Sequence, residues 1–225
     1  MDNQTNFSSV IEKLKTYDIS STDIDSAKLW LSKQCYSMGL DELETNIALS
    51  ILIPKSNSRL NLMVFGYKRH GKDTVCEYLR DNYAVSFASS SYTACELFLF
   101  DKIKEKFGYK TVDEAFNDRG NHRQLWYEEI KAYNVKNGLD ALGKVIFENN
   151  SVYCGIRDKE EFEALKAGGY FDLAIWVDAS DRLPPEEAES MKLTKEDADI
   201  VITNNEDLAS LYKKLDKIFD TILKP

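Results

Sequence analysis

The sequence predicts an α/β fold, a parallel sheet covered by helices on both faces, with a helical extension in front of it. Three observations carry this. From Leu60 onward short apolar runs alternate with amphipathic stretches, the pattern of parallel strands joined by crossover helices. The first of these runs, LNLMVF, passes directly into a glycine-bearing loop and then a helix. The first 58 residues, by contrast, show helical periodicity alone.

Taken in order, Phe7, Val10, Ile11 and Leu14 fall at i, i+3, i+4 and i+7, one apolar stripe. A second helix is expected from about Thr22 through Trp30 and Leu31 to Gly39. Asp41 and Glu44 have capping-box spacing ahead of a third, whose Ile47, Ala48, Ile51 and Leu52 share a face. Pro54 and KSNSR then break the pattern. Residues 1–58 contain no catalytic constellation. They read either as a cap packed on the main domain, 59–225, or as a partner-binding or dimerising module. Beyond them LNLMVF, YAVSFA, SVYCGI, FDLAIWVDA and ADIVITN are the five expected strands. Helices are expected over DTVCEYLRDNY and from Ser91 to Phe147, the latter broken near FGYKT, NDRGN and VKNG. A further one covers DKEEFEALKAGG. The last carries Leu208, Leu211, Leu215, Ile218 and Ile222 on one face.

The 225 residues hold 29 Lys/Arg and 38 Asp/Glu, a net charge of −9. Such a chain repels nucleic acid and anionic membrane unless it has a local basic patch. Its densest basic run, KRHGK at Lys68–Lys72, lies inside the glycine loop, which points to a small nucleotide and not a polynucleotide. No apolar run approaches the roughly 20 residues of a membrane-spanning helix. The start, MDNQTNFSSV, lacks the basic and apolar regions of a signal peptide. Cys35, Cys76, Cys95 and Cys154 form no C-x-x-C pair, and His70 and His122 are the only histidines. A structural zinc site is therefore not expected, and scattered thiols fit a reducing cytoplasm.

Gly66 to Lys72 has the G-x-x-x-x-G-K spacing of a loop that wraps phosphates. Gly66 and Gly71 let the backbone curl so that N–H groups point inward. The helix starting near Lys72 adds its positive end, and Lys72 brings an ammonium to the outer phosphates. Tyr67, Lys68 and Arg69 are expected to face outward as a rim. Where Ser or Thr ordinarily follows the lysine, this chain has Asp73. A bare carboxylate beside a triphosphate is repelled. Asp73 therefore implies an intervening cation, for which Mg²⁺ is suited, or a role in orienting or deprotonating the acceptor. Capping its own helix or pairing with an arginine are the structural alternatives.

GYKRHGKDT closely resembles the K-R-x-G-K-D-T loop of phage deoxynucleoside monophosphate kinases, a branch of the P-loop nucleoside-monophosphate kinase superfamily. GIRDKEEFEAL resembles that family's segment in which an arginine after the third strand, here Arg157, is followed four residues later by a glutamate, here Glu161. ESMKLTKEDADIVITNNEDLASL resembles its closing segment, a mobile lid region leading into a last strand that ends in ITN. The resemblance spans 59–225. It implies a three-layer P-loop kinase fold with a five-stranded parallel sheet, ATP and Mg²⁺ as cofactors, and phosphorylation of a (deoxy)nucleoside monophosphate to the diphosphate. The place would be the cytoplasm, a host cell's if the gene is a phage's.

Residue by residue, the resemblance implies that Gly66, Lys68, Arg69, His70, Gly71, Lys72, Asp73 and Thr74 bind ATP phosphates, with Asp73 and Thr74 at the metal. Arg157 would clamp the acceptor phosphate or the transferring group. Arg182, after WVDASD, would be the lid arginine, and Asn204 would border the adenine. The expected catalytic set is thus Lys72, Asp73, Arg157 and Arg182. Such kinases hold the monophosphate between strands two and three, where DRGNHRQLWY offers Arg119 and Arg123 for a phosphate and Trp126 and Tyr127 for a base. A solvated helix with both aromatics in the core is the equal alternative. One departure stands out: relatives place an Asp at or just before the glycine of the third strand, and this chain has Tyr153 and Cys154. Asp73 then holds more of the metal, or Asp158 substitutes, or the chain is an inactive or repurposed member. Two other readings stay open. One is a dephospho-coenzyme A kinase-like or other small-molecule P-loop kinase, against which Asp73 speaks. The other is a non-catalytic nucleotide-binding regulator.

Overall fold

The computed structural model describes residues 7–17, 24–52, 60–186 and 191–223. The chain divides into two compact units, 61–211 and 1–60 together with 212–225. In the first, β1 (Leu62–Phe65), β2 (Phe87–Ser89), β3 (Val152–Cys154), β4 (Leu173–Asp178) and β5 (Ile200–Thr203) form one parallel sheet in the order β2-β3-β1-β4-β5. All five expected strands are present, and the fold class is the one the sequence predicts.

Register assigns the two faces. Met63 lies opposite Tyr153 and Ala174, and Phe65 opposite Trp176. These residues share one cluster with Leu142 and Ile146 of α9 (Ala141–Asn149) and with Phe162 and Leu165 of α10 (Lys159–Ala167). The alternate residues, Val64 and Cys154 among them, point the other way. There α4 (Lys72–Tyr83) packs on β1 and β3, burying Val75, Cys76 and Leu79. Phe65 meets Trp176 edge-on, with ring centroids 5.5 Å apart, and Phe162 at 5.6 Å. Each such buried ring contributes about 1.5–3 kcal/mol. Together they fix the end of β1, where the glycine loop begins.

The strand order reverses at β1, whose neighbours are β3 and β4. Loops leaving the carboxyl ends of strands at such a switch point diverge and open a crevice. Between β2 and β3 run α5 (Ser90–Ala94), a π-helical turn (Cys95–Leu99), α6 (Phe100–Phe107), α7 (Val112–Asp118), a 3₁₀ turn (Arg119–Asn121), α8 (Arg123–Asn137) and α9. The breaks fall where the sequence placed them. Thr111 starts α7 by accepting from the Glu114 amide at 3.1 Å. Cys95, Leu99, Ile103, Ala115 and Trp126 make a second cluster.

The other unit holds α1 (Phe7–Leu14), α2 (Ile24–Ser37) and α3 (Glu42–Leu52), with Val10, Ile11, Leu14, Leu31, Cys35, Leu40 and Ala48 in its core. The expected capping box forms: the Glu44 amide donates to Asp41 Oδ1 (2.8 Å), and the Asp41 amide to Glu44 Oε2 (3.1 Å). The last helix, α11 (Leu208–Ile222), runs across the division. It buries Leu211, Leu215 and Ile218 of the expected stripe, while Leu208, at its first position, is exposed. Periodicity identifies a face and not how far along the helix that face is covered. The expected start of α2 at Thr22, the break at Pro54 and KSNSR, and 189–190 of the lid segment lie outside the described residues. Among the described residues no helix is long and apolar enough to cross a membrane.

Candidate functional site

Phe65 delivers the chain into the loop that ends at Gly71. At Gly66, φ is +145° and a Cβ would stand 2.5 Å from the Val177 carbonyl oxygen, so only glycine passes the end of β4 here. Gly71 has φ +101°, and its Cβ would stand 2.4 Å from Asn204 Nδ2. That amide donates to the His70 carbonyl at 2.9 Å, while the Ala179 amide donates to His70 Nδ1 at 3.0 Å. The loop is thereby pinned to the ends of β4 and β5. His70 is fully buried, and burial holds its pKa below the ordinary value, leaving Nδ1 free to accept.

Gly71, the residue before α4, has no side chain with which to cap that helix, so first-turn amides remain for an anion. Lys72 is buried; its Nζ donates to the Tyr67 carbonyl at 2.7 Å, and burial lowers its pKa. Lys68 and Arg69 are exposed, as expected. Tyr67 is not a rim residue. Its ring packs edge-on against Trp176 (4.9 Å) and His70 (5.3 Å), partly buried against the core of the sheet.

A cavity of about 410 Å³ opens at this loop. It is lined by Lys68, Arg69, Lys72 and Asp73, by Ser89–Ser91, by Arg119, Arg123, Trp126, Tyr127 and Lys131, and by the turn from Gly155 to Asp158. Seven Lys/Arg side chains and three acids line it, in a chain whose net charge is −9. Burial, and then the neighbouring Arg123 and Arg119 guanidiniums, push Arg157 down to about 10. Burial also lowers Arg119 and Arg123. Crowded, partly desolvated cations are held at an electrostatic cost that an incoming anion relieves.

Glu186 relieves part of that cost. Its Oε1 accepts from Arg157 Nη1 (2.9 Å) and from Arg123 Nη1, and its Oε2 accepts from the Lys68 amide (2.8 Å). Arg119 instead lies over Phe116, its guanidinium carbon 3.6 Å from the ring centroid, and donates to the Phe116 carbonyl at 2.7 Å. Asp158 Oδ2 accepts from Tyr127 Oη (2.8 Å) and Lys131 Nζ (3.0 Å). Its Oδ1 caps α10 through the amides of Glu160 (3.0 Å) and Glu161 (3.2 Å). In the buried wall, Tyr153 Oη donates to Glu161 Oε1 at 2.8 Å, and burial pushes Glu161 up to about 7.

Asp73 stands exposed on the first turn of α4. Cys154 Sγ donates to its Oδ1 at 3.6 Å, a weak contact. Among the described residues it makes no ion pair with an arginine. Its oxygens are hard donors that suit Mg²⁺, and Thr74 in the same turn adds a hydroxyl. Among the described residues no group of three or more His, Cys, Asp or Glu gathers to hold an ion. Asp73 and Thr74 are thus the side chains that would hold Mg²⁺ here, an ion that is commonly bound by one or two protein ligands. Cys154 fills the strand position beside Asp73, and Asp158 is committed to its cap, Tyr127 and Lys131.

Of the expected site residues, Lys68, Arg69, Lys72, Asp73, Arg119, Arg123, Trp126 and Arg157 line this same cavity. Arg182 is not among them: its Nε and Nη2 donate to the Asn204 carbonyl at 2.9 and 2.6 Å. Asn204 stands against Gly71, and His70 and Thr74 lie outside the lining. Trp126 is buried in the second cluster, as the core alternative expects, and also forms part of the cavity wall. Sequence reasoning passed over Glu186, Lys131 and Ser89–Ser91. Only the position of the serines after an expected strand signalled them. No protein-family model matches this chain, and no curated protein matches it significantly.

Proposed function

We propose that this chain transfers the terminal phosphoryl group of ATP to a (deoxy)nucleoside monophosphate. One observation supports this above the rest: a single cavity is lined both by a glycine loop with its lysine and by Arg119, Arg123 and Arg157. Phosphoryl transfer needs two anions brought into line, their charge neutralised and water excluded. The volume, about 410 Å³, is that of a small-molecule site.

In this reading the loop amides and Lys72 hold the outer ATP phosphates, Lys72 exchanging the Tyr67 carbonyl for phosphate oxygen. Arg123 and Arg157 orient the acceptor phosphate through charge-assisted hydrogen bonds. Asp73 and Thr74 would hold Mg²⁺, which when bound would offset phosphate charge. An acceptor phosphate oxygen is already largely ionised at neutral pH. It can therefore attack without a general base, and Asp73 needs to act only through the metal or through orientation. Cys154, standing where relatives carry a carboxylate, favours a second reading as a nucleotide-binding regulator.

Incubation of the chain with ATP, Mg²⁺ and a panel of monophosphates tests the proposal. Diphosphate product that disappears in Lys72→Ala is the expected result, and ATP binding without turnover on any acceptor gives the regulator instead. Asp73→Ser should keep measurable ATP affinity and lose metal-dependent turnover. Full turnover in that variant removes the role assigned to Asp73.

A further inference from the structure

Three donors from separate parts of the chain converge on one carboxylate. The Lys68 amide belongs to the glycine loop, Arg123 begins α8, and Arg157 follows β3; all three donate to Glu186. The Glu186 side chain is only 10% exposed. Loop amide and guanidinium are the groups that read phosphate oxygens, yet here they read a residue of the same chain. We propose that these donors form a discrete seat for a phosphate group, and that Glu186 fills it in the ligand-free protein and must leave before phosphate enters.

The seat is better suited to phosphate than to its tenant. A carboxylate brings one charge and two oxygens, whereas a phosphate monoester brings up to two charges and three oxygens. Arg119 lies near enough to repel Arg123 and Arg157, and it is paired with a ring and a carbonyl and not with Glu186. It is the group left to meet the additional charge. The carboxylate has the advantage of its covalent tether, so phosphate sees only the fraction of molecules in which Glu186 has left. Its apparent affinity falls by that fraction. The inference deepens the proposed phosphoryl transfer and rests on it for the kind of ligand, a phosphate borne by the acceptor or the terminal phosphate of ATP.

The test is calorimetric titration of inorganic phosphate into full-length Glu186→Gln and Glu186→Ala. Both are made in a Lys72→Ala background, which removes the loop's own phosphate contact. Each should bind phosphate roughly tenfold more tightly than the Lys72→Ala parent, and adding Arg157→Gln should abolish the gain. Affinity equal to the parent's, or lower, in both variants overturns the proposal. With Lys72 restored, a gain for a deoxynucleoside monophosphate assigns the seat to the acceptor, and a gain for a non-hydrolysable ATP analogue assigns it to the donor. Because no turnover is measured, the two ideas separate. Tighter phosphate binding with no diphosphate product on any acceptor keeps the seat and removes the kinase. Product formation without tighter binding does the reverse.

Discussion

The two halves of the cavity wall are built by different means. The glycine loop is a backbone structure, held in shape by Asn204 Nδ2 on the His70 carbonyl and by the Ala179 amide on His70 Nδ1. The arginine wall is a side-chain structure. Arg119 comes from a 3₁₀ turn, Arg123 from the start of α8 and Arg157 from the turn after β3, and Glu186 offsets the repulsion between the last two. A backbone-built surface is preformed and depends on a few glycines. A side-chain-built surface is held against its own charge and is ready to exchange one anion for another.

The largest expected effect tests whether the halves serve different ligands. Lys72→Ala should lower turnover by about 10³-fold or more while leaving acceptor binding nearly unchanged. Arg157→Lys keeps the charge but loses the planar fork, so kcat/KM for the acceptor should fall about 10²-fold with ATP binding retained. Kinetics in which either variant harms both ligands alike would erase the distinction.

Gly66→Ala sharpens the claim that the loop is a backbone object. The new methyl meets the Val177 carbonyl at a strained φ, and a loss of about 2–4 kcal/mol is expected from the urea midpoint. A variant as stable as the natural chain would mean that the loop yields. A further expectation concerns Glu161 in the side-chain wall. Its carboxyl rises from 4.5 in the open chain to about 7 when folded, so the folded protein holds a proton that the unfolded chain releases. The stability this contributes is complete below about pH 4.5 and is lost as pH rises through 7. Glu161→Gln should therefore lose less stability than the natural chain between pH 5 and pH 8, read as urea midpoints. Parallel decline in both would place the titrating group elsewhere.

The same contrast explains what was legible in the sequence. The three central strands, β3, β1 and β4, could be read because parallel strands buried on both faces are short apolar runs. Leu62 to Phe65 and Leu173 to Val177 are buried at every position. The glycine loop could be read because its spacing is local. Tyr67 was misplaced because a tyrosine between glycine and lysine carries no local sign of a tryptophan waiting on β4. Arg157 came from resemblance, and Glu186 from nothing. Its partners stand 29, 63 and 118 residues away, and PPEEAES gives no reason to choose one glutamate over its neighbour.

The π-helical turn has its own consequence. The Phe100 amide reaches back to the Cys95 carbonyl, so this turn holds one residue more than an α-turn. Ala94, just before it, belongs to the cluster on the sheet, whereas Cys95 and Leu99 at its two ends and Ile103 beyond it belong to the cluster around Trp126. Each residue in a helix advances it by about 100°. A one-codon deletion between 95 and 99 would thus create a longer and more regular helix, and would swing one of its two greasy seams into water. Removing the extra residue would leave both seams covered only if the stripe on one side of it were rewritten as well.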